Sequence, residues 1–201
     1  MHRVRFAAVR VFTVLGALSL GLPLYAGSIT LGEFSQFSFT GVGVPAAGCD
    51  PADPAGAFCI GSSGTPTTFL DAPPWTFVAP VQGVLLSVTD AFQSGDRFNI
   101  LDNGLSIGLT SAFTPGVDCG DDPAVCITTP GMSTGTFLLG AGSHSLTIVP
   151  VEASPFGGTG YFLAEAVPEP ATWLSLATAL VLAAMFRRKR TLKIRMEEIK
   201  Q

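Results

Sequence analysis

Residues 27–166 lie between an N-terminal export signal and a C-terminal sorting segment, both described below. They contain one histidine, His144, and therefore one candidate for the general base of a serine hydrolase. A Ser-His-Asp site needs that imidazole beside an activated serine. The segment Gly61-Ser62-Ser63-Gly64 does not have the Gly-x-Ser-x-Gly spacing of a nucleophile turn. His144 also alternates in phase with Leu146 and Ile148 at the start of a predicted strand. We therefore predict a histidine at the edge of the core and no catalytic residue.

The same segment carries twelve carboxylates. Paired carboxylates can hydrolyse a glycosidic bond, and converging oxygen ligands can hold calcium. Most of these acids, however, stand in turns beside Gly, Asn or Pro, where Asp is favoured for backbone reasons. No EF-hand spacing occurs, so we expect no metal and no cofactor. If Ca²⁺ is bound, the candidate ligands are Asp90, Asp96 and Asp102.

The four cysteines could be disulfide partners or metal ligands. Cys49 and Cys59 are ten residues apart, and Cys119 and Cys126 are seven apart. Neither pair has the Cys-x-x-Cys spacing of a zinc site. An even number of cysteines in an exported segment indicates disulfides. Three connectivities are open, and we favour the two local pairs, each of which would close one long loop.

The distribution of charge argues against two classes of partner. Residues 27–166 contain twelve acids and a single base, Arg97, so their formal charge is −11, whereas the whole chain carries −4. Phosphate binding needs clustered Lys and Arg. We therefore predict that the segment binds neither nucleic acid nor an anionic lipid surface. An acidic surface suits solubility instead.

Short strands must position these residues. Residues 84–89 are aliphatic and β-branched, and they are bounded by Gly83 and Asp90. No part of residues 27–166 keeps a sustained 3.6-residue period. About eight short extended runs with Gly- and Pro-rich connections predict an all-β domain, an antiparallel β-sandwich of the jelly-roll kind.

Two turns and two loops connect these strands. Asn103-Gly104 predicts a hairpin, because both residues accept a positive φ. Gly140-Ala141-Gly142 predicts a second hairpin. Residues 45–66 and 110–134 are long loops, each with one cysteine pair, and loops of this length are often functional. They would form a binding surface if they lay at the same end of the sandwich.

The N-terminus has the features of a secretory signal peptide, which we assign to residues 1–26. Arg3, Arg5 and Arg10 precede an uncharged apolar stretch at residues 11–24, and a small residue, Ala26, precedes Gly27. About 14 apolar residues are short for a spanning helix, which needs about 20. An uncleaved N-terminal anchor is the alternative.

The C-terminus has three parts in a fixed order. Val167-Pro168-Glu169-Pro170 is followed by sixteen uncharged residues, 171–186, and then by a basic cluster of Arg187, Arg188, Lys189 and Arg190. This arrangement resembles the PEP-CTERM sorting signal of exported bacterial proteins. The resemblance implies recognition by exosortase, a membrane enzyme that removes the helix, and delivery to the cell surface or its polysaccharide matrix.

The apolar run predicts a short transmembrane helix. At about 1.5 Å per residue it spans roughly 24 Å, and flanking bases can extend it by snorkelling. The basic cluster places the C-terminus in the cytoplasm. Residues 191–201 then form a cytoplasmic tail, which is longer than the resembled family usually carries. That departure leaves a permanently anchored, single-span surface protein as an alternative to processing.

These features together predict an exported, non-catalytic protein of the cell envelope or extracellular matrix. The precursor would be anchored in the inner membrane by its C-terminal helix, and the mature protein would bind or pack against surface components, extracellular polysaccharide among them. The alternative is a small secreted hydrolase that acts on carbohydrate.

Overall fold

A computed structural model of the protein describes residues 27–168 and 178–180. Several predicted features lie outside these residues: the signal peptide, Glu169 and Pro170 of the sorting motif, the basic cluster, the tail 191–201, and all but three residues of the apolar run. Within the described ranges, no helix is long and apolar enough to cross a membrane.

Nearly all of the regular secondary structure in the described residues is β-strand, so the predicted all-β class is confirmed. In chain order the elements are β1 (Phe34–Phe39), β2 (Cys49–Asp50), β3 (Ala57–Phe58), β4 (Thr67–Phe69), β5 (Trp75–Ala79), β6 (Val84–Asp90), β7 (Phe92–Gln93), β8 (Arg97–Asp102), β9 (Leu105–Leu109), β10 (Asp118–Gly120), α1 (Pro123–Cys126), β11 (Thr134–Leu139), β12 (Gly142–Glu152) and β13 (Gly158–Ala166).

Two larger sheets contain most of the strands. One has five strands in the order β11-β6-β13-β1-β4, and the other has four in the order β5-β12-β8-β9. All neighbours in both sheets are antiparallel except β1 and β4, which are parallel. In two small sheets, β2 pairs with β3 inside the first long loop, and β10 of the second long loop pairs with β7.

A single hydrophobic core joins the two larger sheets. Along β6, Val84, Leu86 and Val88 are fully buried, as the period of two along a strand requires. The ring of Phe37 in β1 lies 5.9 Å from that of Trp75 in β5 and 5.5 Å from that of Phe98 in β8. The inner faces of the sheets therefore contact each other through aromatic side chains, which provide most of the apolar burial per residue.

The predicted hairpin at Asn103-Gly104 is confirmed. Strand β8 pairs with β9 across this turn, and the φ angles of Asn103 and Gly104 are 50° and 78°. Both are in the left-handed region, which Asn and Gly adopt at low cost.

The predicted hairpin at Gly140-Ala141-Gly142 is wrong. Strand β11 pairs with β6 in the five-stranded sheet, whereas β12 pairs with β5 and β8 in the four-stranded sheet. The glycines do mark a chain reversal, but the reversal carries the chain from one sheet to the other. A turn signal is local, whereas the partner of each flanking strand is decided by contacts that are distant in sequence.

The short helix α1 interrupts a segment that the sequence predicts as loop. Asp122 caps it, since its carboxylate accepts a hydrogen bond from the Ala124 N–H at 3.0 Å, and Pro123 occupies the first turn, where a missing N–H costs nothing. One turn of helix is too short to give a periodic pattern.

Candidate functional site

The sorting motif begins where the last strand ends. Strand β13 finishes at Ala166, and the Val167 N–H donates to the Gly83 carbonyl at 3.0 Å. Pro168 follows and is exposed. A proline has no N–H and cannot extend the ladder, so the motif leaves the sheet here. The sequence-predicted residues Val167 and Pro168 therefore lie at one end of the domain formed by residues 27–168.

The two predicted disulfides are both present. Cys49 pairs with Cys59, with a Cα–Cα distance of 5.6 Å, and Cys119 pairs with Cys126 at 4.9 Å. Each bridge lies within one long loop, as the spacing suggested. The described residues contain no free cysteine, so no thiol remains in the domain as a nucleophile.

The two disulfide loops contact each other. The Ser63 hydroxyl and N–H both donate to the Asp121 carboxylate, at 2.7 and 2.9 Å. A hydrogen bond from the Thr65 side chain lowers the pKa of Asp122. We call the surface formed by Ser63, Thr65, Asp121 and Asp122 the loop junction. The sequence predicted both loops but not the contact between them, because 58 residues separate Ser63 from Asp121.

The second loop also covers the outer face of the five-stranded sheet. Tyr161 is fully buried beneath it, in a small cluster with Ala91, Cys119, Cys126 and Met132. Its hydroxyl donates to the Asp121 carbonyl at 3.0 Å. Burial, followed by the charges of Asp121 and Asp122, raises the pKa of Tyr161 to about 12.

His144 is enclosed and doubly hydrogen-bonded. Its Nδ1 lies 2.8 Å from an Asp102 carboxylate oxygen, and its Nε2 lies 2.9 Å from the Gly140 carbonyl. The imidazole stacks on Phe77 with ring centroids 5.1 Å apart, and the residue is 9% exposed. Since a general base needs a free nitrogen facing its substrate, this arrangement suits a structural histidine.

The three calcium candidates do not share one location. Asp90 and Asp96 lie together, since the Asp96 N–H donates to the Asp90 carboxylate at 3.0 Å, whereas Asp102 binds His144 and the Ser145 N–H. In the described part of the chain, no group of three or more His, Cys, Asp or Glu side chains is arranged to hold a metal ion.

The Asp90–Asp96 pair lies beside a cavity of about 300 Å³. Asp96 lines that cavity with Phe92, Ser154 and Thr159, while Asp90 is fully buried. The sequence singled out both acids as calcium candidates but did not predict their burial, because no pattern indicates that the last residue of a strand is a buried acid. Phe92 also has a φ of 55°, which is uncommon for a residue with a side chain.

The aromatic residues range from fully buried to almost fully exposed. Trp75 and Tyr161 are fully buried and Phe77 is 7% exposed, so none offers a face to a sugar ring. Phe58 and Phe156, by contrast, are 77% and 95% exposed. Phe58 lies in β3, within the first disulfide loop.

Comparison with known proteins adds one match. A family model described as the PEP-CTERM protein-sorting motif matches residues 166–190. No curated protein and no solved structure matches the chain. The matched range contains the Pro-Glu-Pro motif, the apolar run and the basic cluster in the predicted order. The chain therefore carries a PEP-CTERM protein-sorting motif at residues 166–190.

Proposed function

We propose that the protein is a non-catalytic component of the cell envelope or extracellular matrix, delivered there by exosortase-type processing. One observation carries the proposal: a PEP-CTERM motif begins directly after the last strand of a compact domain. A processing enzyme can reach an extended, proline-containing segment more easily than one paired in a sheet.

The proposed route to the surface uses both ends of the chain. Residues 1–26 direct export as a signal peptide, and residues 171–186 hold the precursor in the inner membrane with the basic cluster on the cytoplasmic side. Cleavage near the sorting motif then releases the domain to the surface or matrix. The disulfides suit this destination, since such bonds persist in oxidising compartments.

The proposed architecture of the domain is a jelly-roll β-sandwich. Eight of its strands read β1-β13-β6-β11 in one sheet and β5-β12-β8-β9 in the other. Successive strands repeatedly change sheet, as β5, β6 and β8 do, which is the connectivity of a double-sheet jelly roll. Strand β4 and the two loop sheets are additions to that frame.

We further propose that the domain binds extracellular polysaccharide or another surface component at its disulfide loops, without hydrolysing it and without a cofactor. Exposed Phe58 and the polar loop junction supply an aromatic face and hydrogen-bonding groups. Two observations support a non-catalytic role. Both nitrogens of His144 already face acceptors, and Asp90 has no exposed surface with which to touch a polymer.

Sorting is tested by changing the motif in the full-length protein. We expect Pro168→Ala combined with Glu169→Ala to increase the membrane-retained fraction at the expense of the released or surface fraction. Glu165→Ala is the matched control, because Glu165 is exposed and precedes the motif. Equal release of the double variant and the wild type would contradict the proposal.

Binding is tested with immobilised polysaccharides of several charge and linkage types. We expect retention on at least one polymer, loss of retention in Phe58→Ala, and unchanged retention in Phe156→Ala, which removes an exposed ring outside the disulfide loops. No soluble oligosaccharide should appear. Turnover that a single Asp→Asn change abolishes would instead establish the hydrolase alternative.

A further inference from the structure

We propose that removal of the signal peptide creates an ion pair: the α-ammonium group left on Gly27 pairs with the Asp71 carboxylate and fastens residues 27–29 to the edge of the four-stranded sheet. The pairing depends on the export route proposed above, in which cleavage follows Ala26. Hydrolysis breaks the Ala26–Gly27 peptide bond. The hydroxyl of water goes to the Ala26 carbonyl carbon and its hydrogen to the Gly27 nitrogen, which is mostly an ammonium at neutral pH.

Residues 27–29 already lie along the outer edge of β5. The Gly27 carbonyl accepts the Thr76 N–H at 2.6 Å, and the Ile29 N–H donates to the Thr76 carbonyl at 2.9 Å. Ile29 is 8% exposed and belongs to the main hydrophobic core. Strand β5 is the outer strand of its sheet, and an uncovered edge would present unpaired backbone groups. Holding this segment in place therefore completes the sheet.

Gly27 is placed so that its nitrogen can reach a carboxylate. The residue is buried, and its N–H donates to the Ala72 carbonyl at 3.2 Å. A Cβ on Gly27 would overlap the Asp71 carboxylate and lie 2.9 Å from Trp75 Cδ1. The nitrogen is bonded to the same Cα, so rotation of the exposed Asp71 side chain brings the two groups together. An ammonium has three N–H donors, and one of them can keep the bond to Ala72.

The charge of the domain favours this pair. Residues 27–166 contain twelve acids and one side-chain base, Arg97, whose guanidinium donates to the Thr110 carbonyl and to Glu152. The α-ammonium adds a second cation, and it arises beside Asp71. In the uncleaved precursor the same nitrogen is an uncharged amide, so the ion pair exists only after processing.

The composition of the domain makes this amine easy to follow. Residues 27–166 contain no lysine, so the α-amine of Gly27 is the one primary amine of the domain. Acetic anhydride reacts with the free amine and not with the ammonium, so the rate of acetylation reports the pairing. Trypsin cuts after Arg97, and the mass of peptide 27–97 therefore measures acetylation of Gly27 even in a chain that keeps the lysines of its tail.

The decisive variant is Asp71→Asn, made in the full-length chain and recovered after export. We expect its Gly27 amine to be acetylated about two- to fivefold faster than that of the wild type at pH 7, which is the effect of losing an exposed ion pair. The fold should be kept, because the backbone carbonyl of Asp71, and not its carboxylate, accepts the Trp75 Nε1–H at 2.9 Å. Glu33→Gln is the matched control, since it removes another exposed carboxylate near the same end of the chain, and its rate should stay close to that of the wild type. Equal rates in wild type and Asp71→Asn would overturn the proposal.

A second measurement follows the backbone. Acetylated Gly27 keeps one N–H for the Ala72 carbonyl but carries no charge. Protection of the Ile29 and Thr76 amides against hydrogen exchange should therefore fall about two- to fivefold when the wild type is acetylated, and should not change when Asp71→Asn is acetylated. A fall of equal size in both proteins would mean that the ammonium acts on another group, and the proposal would be wrong.

The first residue of the recovered protein separates this inference from the export route. A protein that begins anywhere other than Gly27 would refute the proposed cleavage and the ion pair together. A protein that begins at Gly27 and reacts as fast as Asp71→Asn would refute the ion pair alone and leave the export route intact.

Discussion

At the scale of single residues, buried polar side chains join segments that are distant in sequence. His144 is the clearest example, because it bridges the Asp102 carboxylate and the Gly140 carbonyl while stacking on Phe77. The sequence placed His144 on the inward side of a strand by alternation. It could not predict Asp102 as its partner, since 42 residues separate them and nothing local couples β8 to β12.

If His144 is structural, its removal should cost stability. We expect His144→Ala to lower the free energy of unfolding by roughly 2–4 kcal/mol, because it leaves a cavity and removes the imidazole partner of one mostly buried Asp102 oxygen. Ser143→Ala, an exposed change on the same strand, should alter it by less than about 0.5 kcal/mol. Urea unfolding measures both values. Equal stability of the two variants would contradict the structural role.

Tyr161 offers a direct spectroscopic test of the buried cluster. Tyr25 lies in the predicted signal peptide, so Tyr161 is the single tyrosine of the mature domain. Its pKa, raised to about 12 by burial, predicts little tyrosinate absorbance at pH 10, where an exposed tyrosine is half ionised. An absorbance titration with a midpoint near 10 would show that the hydroxyl is accessible.

At the scale of elements, each disulfide loop should act on its own surroundings. The second loop covers Tyr161, whereas the first lies beside β1, where Ser38 accepts the Ala57 N–H. The sequence predicted both cysteine pairs correctly because close spacing favours local bridges. It did not predict the loop junction, since that contact depends on how the loops fold over the sheet.

Replacing Cys119 and Cys126 by Ser should therefore have a local signature. We expect a loss of about 2–3 kcal/mol, from the gain in chain entropy of the unfolded state, together with a Tyr161 titration shifted towards pH 10. The matched variant, with Cys49 and Cys59 replaced by Ser, should lose a similar amount but leave the Tyr161 titration near pH 12. A shift of equal size in both variants would mean that the loops do not act independently.

The hairpin turn provides a test of backbone conformation at the same scale. Gly104 has a φ of 78°, so Gly104→Ala should destabilise the domain by about 1 kcal/mol. Gly61→Ala is the control, because Gly61 has an ordinary φ and open space around its Cα. Thermal unfolding of both variants, compared with wild type, measures the difference. If the two variants unfolded at the same temperature, the account of Gly104 as a residue with a positive φ would be contradicted.

The two glycine-containing turns also show where sequence reasoning ends. Asn103-Gly104 specifies a turn type that joins neighbouring strands, and the structure has the predicted hairpin between β8 and β9. Gly140-Ala141-Gly142 specifies only flexibility, and the two strands that flank it belong to different sheets. Turn chemistry predicted a reversal in both places, but only a turn with defined geometry fixed the pairing.

At the scale of the whole molecule, the distribution of charge and the order of the segments separate the folded domain from its sorting signal. The acidic residues 27–166 contain Arg97 as their single base, and the remaining bases lie in the two terminal segments. The sorting motif follows β13 directly, with one backbone hydrogen bond from Val167 to Gly83. The domain can therefore be released intact by cleavage after its last strand.

The intact mass of the protein recovered from the cell surface or medium tests this account most directly. We predict a chain that begins at Gly27 and ends near Pro168, with the apolar run, the basic cluster and the tail removed. The two disulfides should reduce its mass by four hydrogens relative to the fully reduced chain. A mass that includes the tail through Gln201 would contradict processing and would establish a permanently anchored protein.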